Sequence, residues 1–282
     1  MSVQTEKESA ALVFLYRTVP GRALLKLLIG RGLSQAAGRF LSSPLSKPLI
    51  DPFVRKNGIA LGDYTGSPYA CFNDFFCRPI RPGKRPLPDD PADLMAPCDG
   101  LLSAYRITEG TVLPVKQSRY TVSELLGLDM AARRFHDGVC LVFRLCVDNY
   151  HRYCYVDDGQ KGPNVFLPGV LHTVRPIALE SVPVFVRNCR EYTLMETAHF
   201  GSVAQVEVGA LLVGRIDNRQ GAGPMRRGEE KGRFLYGGST VVLLLEKDRV
   251  RVNDALFEAT ARGIETPVLM GQVLGHALSP AD

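Results

Sequence analysis

Every uninterrupted apolar run in this 282-residue chain is short, and residues 241–245 (VVLLL) form a strand-sized one. Five residues are far fewer than the roughly 18 apolar residues of a membrane-spanning helix. The run follows Gly237-Gly238-Ser239-Thr240 and ends before Lys247-Asp248, which are turn signals. This pattern predicts a buried β-strand and a fold built around a sheet.

Further strand patterns follow from about residue 96 onward. Residues 138–148 alternate, and residues 203–216 form another apolar strand pattern. Residues 239–246 and 249–253 predict a hairpin around Lys247-Asp248, whereas the glycine- and charge-rich residues 217–233 predict a loop. We therefore expect one mainly antiparallel β domain.

The N-terminal part has a different pattern. Residues 9–56 are helical in character until prolines at 44, 48 and 52 interrupt them, and the prolines of residues 67–98 predict an extended linker. The predicted fold class is α+β and β-dominated, with an N-terminal helical, membrane-contacting region at 1–66 and a β-rich catalytic domain at 67–282.

Charge is distributed unevenly along the chain. The net charge is +5, and no acidic residue occurs between Glu8 and Asp51, where six basic residues alternate with leucines. One interpretation is a helical hairpin packed on the main domain. The other is a basic amphipathic element on an anionic membrane surface. The two interpretations are compatible.

Several common chemistries lack their motifs. The sequence has no GxxxxGK[ST], no GxGxxG at a strand-to-helix turn, no CxxC pair and no zinc-ligand spacing among its five histidines. We therefore expect no metal, and nucleic-acid binding is weakly supported. The odd number of cysteines, seven, and the polar first ten residues favour a reducing, intracellular setting.

Three short motifs together suggest nucleophilic chemistry. Asp99 in APCDG, His151 in DNYHRYCY and Ser239 in YGGSTVV are each, taken alone, more typical of turns and strand ends. Together they supply a serine, a base and a carboxylate that orients the base. Val241 rules out the G-x-S-x-G elbow. Two glycines before Ser239 instead favour a strained, accessible Gly238–Ser239 bond.

The order of the motifs over residues 69–276 resembles the phosphatidylserine decarboxylase family. The resemblance is carried by FNDFFCRPIRPGKRPL, APCDG, NYHRY, PGVLHTVRP, FGSVAQVEVGALLVGRI, KGEEKGRF and YGGSTVVLLLEK. It implies a self-cleaving proenzyme with a pyruvoyl cofactor that converts phosphatidylserine to phosphatidylethanolamine and carbon dioxide. It also implies a peripheral location on the cytoplasmic face of the cell membrane.

The resemblance also implies roles for individual residues. Asp99 would orient His151, and His151 would take the proton of Ser239 as its Oγ attacks the Gly238 carbonyl. Cleavage would leave chains 1–238 and 239–282 as a heterodimer, and Ser239 would become the pyruvoyl group that forms a Schiff base with the substrate. Many relatives carry a second histidine three residues after the first, where this chain has Cys154. His151 would then serve two roles, or Tyr150 or a water would serve one.

Three alternatives use the same motifs. A related decarboxylase could act on another seryl lipid, such as an archaeal-type ether phospholipid. A serine hydrolase using Asp99, His151 and Ser239 would remain uncut. A non-catalytic lipid-binding module would also remain uncut and would bind anionic vesicles.

Overall fold

A computed structural model describes residues 10–29, 31–108, 112–115, 118–127, 129–174, 176–179, 182–210, 215–235 and 239–278. The α-helices are α1 (Ala10–Arg17), α2 (Val19–Leu28), α3 (Arg31–Leu41), α4 (Ile50–Asn57), α5 (Phe72–Phe76), α6 (Val122–Leu126), α7 (Asp129–Arg133), α8 (Pro176–Leu179), α9 (Val184–Arg187) and α10 (Asp254–Ala261). Two 3₁₀ helices span Pro44–Leu49 and Leu61–Asp63.

The strands are β1 (Asp93–Met95), β2 (Gly100–Arg106), β3 (Val112–Val115), β4 (Ser118–Thr121), β5 (Val139–Leu145), β6 (Arg152–Cys154), β7 (Gly159–Lys161), β8 (Val165–Leu167), β9 (Arg190–Thr197), β10 (Ser202–Val208), β11 (Ile216–Asn218), β12 (Gly223–Met225), β13 (Glu230–Phe234), β14 (Ser239–Leu245), β15 (Val250–Val252), β16 (Thr266–Val268) and β17 (Val273–Ala277). The expected β-dominated, antiparallel fold with N-terminal helices is confirmed.

A nine-stranded sheet forms the centre of the fold, in the order β12-β7-β9-β10-β14-β5-β2-β16 with β8 paired to β9. Every neighbouring pair in it is antiparallel. All seven residues of β14 are buried, because β10 and β5 flank it and both of its faces are covered. An apolar run without alternation is typical of such a strand.

The two faces of this sheet have different coverings. Val206, Val242 and Leu244 face a core shared with helices, which contribute Leu15 of α1 and Leu25 of α2. Residues on the opposite face pack against α10 and two three-stranded sheets, β1-β17-β15 and β11-β13-β6. The second of these small sheets is important for the site because β6 begins directly after the predicted catalytic histidine and β13 ends five residues before Ser239.

Three local predictions were wrong. The strands at 239–245 and 250–252 exist, but β14 pairs with β10 and β5 whereas β15 pairs with β17, so they form no hairpin. The predicted loop at 217–233 contains β12, most of β11 and most of β13. The predicted linker at 67–98 includes α5, which forms because its five residues, FNDFF, precede the next proline.

The N-terminal helices pack on the main domain, as one interpretation of residues 9–56 predicts, and the membrane-surface interpretation stays a prediction. Leu15, Tyr16 and Leu25 are buried in the helix-covered core. Phe14 and Leu24 remain exposed on the same two helices. Within the described residues, no helix is long and apolar enough to cross a membrane. The boundary between 66 and 67 remains a prediction.

Candidate active site

Ser239 begins the central strand of the sheet. It lies opposite Leu145 of β5, and its side chain is fully buried. Its Oγ makes no hydrogen bond within the part of the chain that the structure describes. A buried hydroxyl without a partner costs free energy, so it is a common sign of a functional group. Gly237 and Gly238 lie outside the described residues, and the predicted cleavage bond is therefore not described.

The ends of three neighbouring strands, β14, β5 and β2, lie together at the end of the sheet where Ser239 is found. β5 ends at Leu145, directly opposite the first residue of β14. β2 starts beside the same end of β5, with Leu101 opposite Arg144. A Cβ atom on Gly100 would lie 2.9 Å from the carbonyl oxygen of Arg144, so glycine permits this close approach. The antiparallel register thus brings Asp99 and Ser239 to the same end of the sheet. The chain that leaves β5 at this end leads to His151.

His151 is fully buried beneath Phe76, the last residue of α5. Its imidazole packs on the ring of Phe76, with the ring centroids 3.9 Å apart. Nδ1 lies 3.0 Å from the carbonyl oxygen of Asn149. Because a carbonyl oxygen only accepts, this hydrogen bond requires a proton on Nδ1. In the neutral ring Nε2 then carries the lone pair, which is the state of a general base.

The chain approaching the predicted cleavage bond is held beside His151. The Phe234 N–H donates to the His151 carbonyl oxygen over 2.9 Å. The buried Cys77 thiol donates to the carbonyl oxygen of Phe234 over 3.0 Å. His151 therefore adjoins the residue that stands five positions before Ser239.

Asp99 is held by groups other than His151. Its carboxylate accepts two hydrogen bonds from Arg85 and one, over 2.8 Å, from the Met270 N–H. These bonds raise the pKa of Arg85, so this guanidinium stays charged. The strand register brings Asp99 and Ser239 to one end of the sheet, and no hydrogen bond joins Asp99 to His151 in the part of the chain that the structure describes. The relay among the three remains a prediction.

Cys154 contacts Pro97, two residues before Asp99 in the chain, and is not a base. Its N–H donates to the Pro97 carbonyl oxygen over 3.0 Å, and its Sγ donates to the same oxygen over 3.3 Å. Burial raises the pKa of Cys154 to about 12, so at neutral pH the residue is a thiol. Burial also raises the pKa of Tyr150. Neither residue can accept a proton at neutral pH.

Other residues of the site were missed in the sequence. Phe76, Arg78 and Arg85 belong to the segment that we predicted as a linker, and all three contact residues of the site. Glu207 and Lys231 form a fully buried ion pair, and Glu207 lies opposite Val241 of the central strand. The single acid of the fully buried strand β10 was the available signal for this pair.

A possible metal site lies elsewhere in the fold. Among the described residues, Asp90, Asp93 and His276 are close enough to share an ion. Two of the three side chains are exposed, and they lie on or beside the β1-β17-β15 sheet rather than at the Ser239 end of β14. The chemistry below does not involve them.

Comparison with known proteins defines the class. The family model described as phosphatidylserine decarboxylase matches residues 72–276. A phosphatidylserine decarboxylase proenzyme 2 from Clostridium acetobutylicum is 40% identical over 274 residues, which are 97% of this chain and 94% of the relative. A phosphatidylserine decarboxylase proenzyme from Clostridium perfringens is 37% identical over 269 residues, covering 93% of this chain and 91% of the relative. One from Ruminiclostridium cellulolyticum is 36% identical over 270 residues, covering 94% and 90%.

These matches place the protein among the carboxy-lyases that act on phospholipids. The chain belongs to the phosphatidylserine decarboxylase family.

Proposed function

We propose that the protein is a phosphatidylserine decarboxylase made as a single-chain proenzyme that cuts itself between Gly238 and Ser239. The observation that carries the proposal is the fully buried Ser239 hydroxyl, which makes no hydrogen bond to any described residue. Ser239 lies at one end of the strands of the central sheet. Asp99 lies at the same end, and the chain that leads to His151 leaves β5 there. Family membership makes decarboxylation a better explanation than the hydrolase or the lipid-binding module.

Self-cleavage would proceed through groups of this chain alone. The Ser239 Oγ attacks the Gly238 carbonyl carbon while Nε2 of His151 takes the hydroxyl proton. The C–N bond then breaks, His151 passes that proton to the departing Ser239 amine, and the amide has become an ester. Loss of the Ser239 α-proton then breaks the Cβ–O bond. Residues 1–238 leave as a carboxylate, and a dehydroalanine remains at position 239. Water converts this residue to a pyruvoyl group and ammonia.

The residues present fit a pyruvoyl group at position 239. The Ser239 hydroxyl has no hydrogen-bond partner among the described residues, so none of these bonds is lost when its oxygen departs. The pyruvoyl group supplies an electrophilic carbonyl that accepts the electrons released when carbon dioxide leaves. His151, packed on Phe76, is the side chain proposed to return a proton to the substrate carbon.

The two chains would remain one folded unit after cleavage. Residues 239–282 supply β14, which lies between β10 and β5, and also β15, α10, β16 and β17. Met270 of this segment donates its N–H to Asp99 of the other chain. We therefore propose a heterodimer of 1–238 and 239–282.

We also propose that the protein binds the cytoplasmic face of the cell membrane peripherally. Phe14 and Leu24 are exposed on helices whose other faces are packed in the core. The surrounding charges are all basic from Arg17 to Lys47. Exposed apolar side chains among basic ones suit an anionic lipid surface, which also presents the substrate.

The intact mass of the purified protein tests the cleavage. Wild type should give two chains that separate after residue 238, with the 44-residue chain blocked to Edman sequencing because a pyruvoyl group has no α-amine. Ser239→Ala should remain one chain. Ser103→Ala, which truncates another buried serine of the same sheet, is the matched control and should be cut normally. An active wild-type enzyme that remains uncut would refute the proposal.

Activity assays then address the substrate and the base. The mature protein should release carbon dioxide from phosphatidylserine, and an ether seryl lipid assayed beside it distinguishes the related decarboxylase. His151→Ala should slow cleavage by about 10²–10⁴-fold, the usual contribution of a general base. His136→Ala, at an exposed histidine, should be cut at the wild-type rate.

A further inference from the structure

Arg78 is a fully buried cation whose guanidinium binds main-chain carbonyls rather than a carboxylate. Nη2 donates to the Asp148 carbonyl over 2.6 Å and makes a longer contact of 3.4 Å with the Asn149 carbonyl. Nη1 lies 3.5 Å from the Phe75 carbonyl. No acidic side chain of the described residues forms an ion pair with it. Burying such a charge is expensive, so its partners are informative.

The Asn149 carbonyl is shared by Arg78 and His151. It is the oxygen that lies 3.0 Å from Nδ1 of His151. A carbonyl held in this position keeps the proton on Nδ1 and leaves Nε2 as the proton acceptor. Arg78 therefore contacts the group that determines the tautomer of His151, although it does not contact the imidazole itself.

The two residues before Arg78 contact His151 and the residue that follows it. Phe76 covers the imidazole ring. The carbonyl of Cys77 accepts a hydrogen bond from Nε of Arg152 over 2.7 Å, next to His151 in the chain. Residues 76–78 thus contact the chain before, at and after His151.

We propose that Arg78 is a positioning residue that fixes the ring orientation and the tautomer of His151 through the Asn149 carbonyl. An arginine suits this role because its planar group can bind two carbonyls while it lies over aromatic rings. The guanidinium carbon is 4.3 Å from the ring centroid of Tyr64 and 5.0 Å from that of Phe75. A lysine keeps the charge but offers neither the fork nor the flat face. The use of His151 in cleavage rests on the proposed function above.

Nitrogen-15 NMR of the histidine rings tests the proposal directly. The uncut Ser239→Ala proenzyme, labelled on histidine and studied near pH 8, should show the Nδ1–H tautomer for His151. Adding Arg78→Lys should shift a substantial fraction of His151 to Nε2–H. Arg81→Lys is the matched control, because Arg81 is exposed and its Nε donates to the Tyr64 carbonyl, away from Asn149 and His151 in the chain. An Nε2–H tautomer in the parent protein would overturn the proposal.

Self-cleavage rates test whether Arg78 affects the proposed reaction of His151. In a protein that keeps Ser239, Arg78→Lys should slow cleavage by about 10²-fold, the typical effect of a misplaced reacting group. Arg81→Lys should be cut at the wild-type rate. If Arg78→Lys fails to fold, Arg78→Gln removes the buried charge and should shift the tautomer in the same direction.

The two proposals fail in different ways. A slow variant with an unchanged tautomer would make Arg78 merely structural and overturn this inference, as would a variant with normal tautomer and normal cleavage. Normal cleavage of His151→Ala would instead refute the proposed role of His151, whatever the NMR spectra show.

Discussion

Arg85 holds the carboxylate of Asp99 with two donors, Nε to Oδ1 at 3.0 Å and Nη2 to Oδ2 at 2.7 Å. Both side chains are almost fully buried, at 8% and 3% exposed. Paired bonds of this kind are among the stronger polar interactions in proteins. The pair joins Arg85, in the proline-containing residues 67–98, to Asp99, directly before β2. This is the end of the sheet where Ser239 lies.

Removing one member of this pair should destabilise the protein strongly. In the uncut Ser239→Ala background, Arg85→Met should lower the free energy of unfolding by about 3–5 kcal/mol, because Asp99 would be left as a buried, uncompensated charge. Urea denaturation measures this change. Lys84→Met is the control, since the Lys84–Asp63 pair is exposed to solvent and its attraction is screened by water. Equal effects of the two substitutions would contradict the prediction.

Cys154→Ala should leave self-cleavage within about threefold of the wild-type rate. The thiol has a pKa near 12 and cannot act as the base, so its loss removes only a weak hydrogen bond to Pro97. Timed sampling of newly made protein on gels measures the rate. Cys189→Ala, at another buried thiol, is the control. A block confined to Cys154→Ala would show that the thiol takes part in the chemistry.

His172 should make stability depend on pH. Burial, and then the nearby charge of Arg187, lowers the pKa of His172 to about 4. The unfolded chain, with an ordinary pKa of about 6.5, binds more protons below neutrality, so stability present above pH 6.5 is lost as the pH falls toward 4. The loss amounts to about 2 kcal/mol at about pH 5.

The measurement compares urea unfolding at neutral and acidic pH in the Ser239→Ala background. His172→Gln should be less sensitive to acid than its parent by that amount. His136→Gln, at an exposed histidine, should retain the sensitivity of the parent. Parallel pH curves for the parent and His172→Gln would refute the assignment.

Membrane binding should depend on the exposed charges of α2. Neutralising Arg22 and Lys26 together should weaken sedimentation with vesicles of phosphatidylcholine and phosphatidylglycerol by roughly 30-fold, at about 1 kcal/mol for each charge. Substitution is a better test than deletion, because deletion would also remove Leu15, Tyr16 and Leu25 from the core. Neutralising Arg251 and Arg262 is the control, and an equal loss there would contradict the prediction.

The sequence predicted what depends on short-range patterns. The unbroken apolar run after Ser239 correctly indicated a strand covered on both faces. It could not indicate the partners of that strand, because pairing is decided by contacts between distant segments. The β14–β15 hairpin failed for this reason: the chain leaves the central sheet after Glu246 and enters another sheet.

The three predicted site residues, Asp99, His151 and Ser239, are chemically distinctive in the sequence. The antiparallel register brings Asp99 and Ser239 to one end of the sheet, and the joint role of the three residues stays a prediction. Arg78 and Arg85 were missed because an arginine in a Pro-rich stretch is usually exposed, and nothing local shows that both are buried. The partners of Asp99 are equally non-local, since one of them is the main chain of residue 270.

The central position of β14 in the sheet affects whether the cleaved enzyme can refold. The uncut chain can fold as one molecule, because β10, β5 and β14 are covalently connected. Once the bond before Ser239 is cut, an unfolded enzyme would have to recover its middle strand from a separate 44-residue peptide. Refolding would then depend on concentration and compete with aggregation. The mature enzyme should therefore persist through slow unfolding, whereas its proenzyme can be refolded after denaturation.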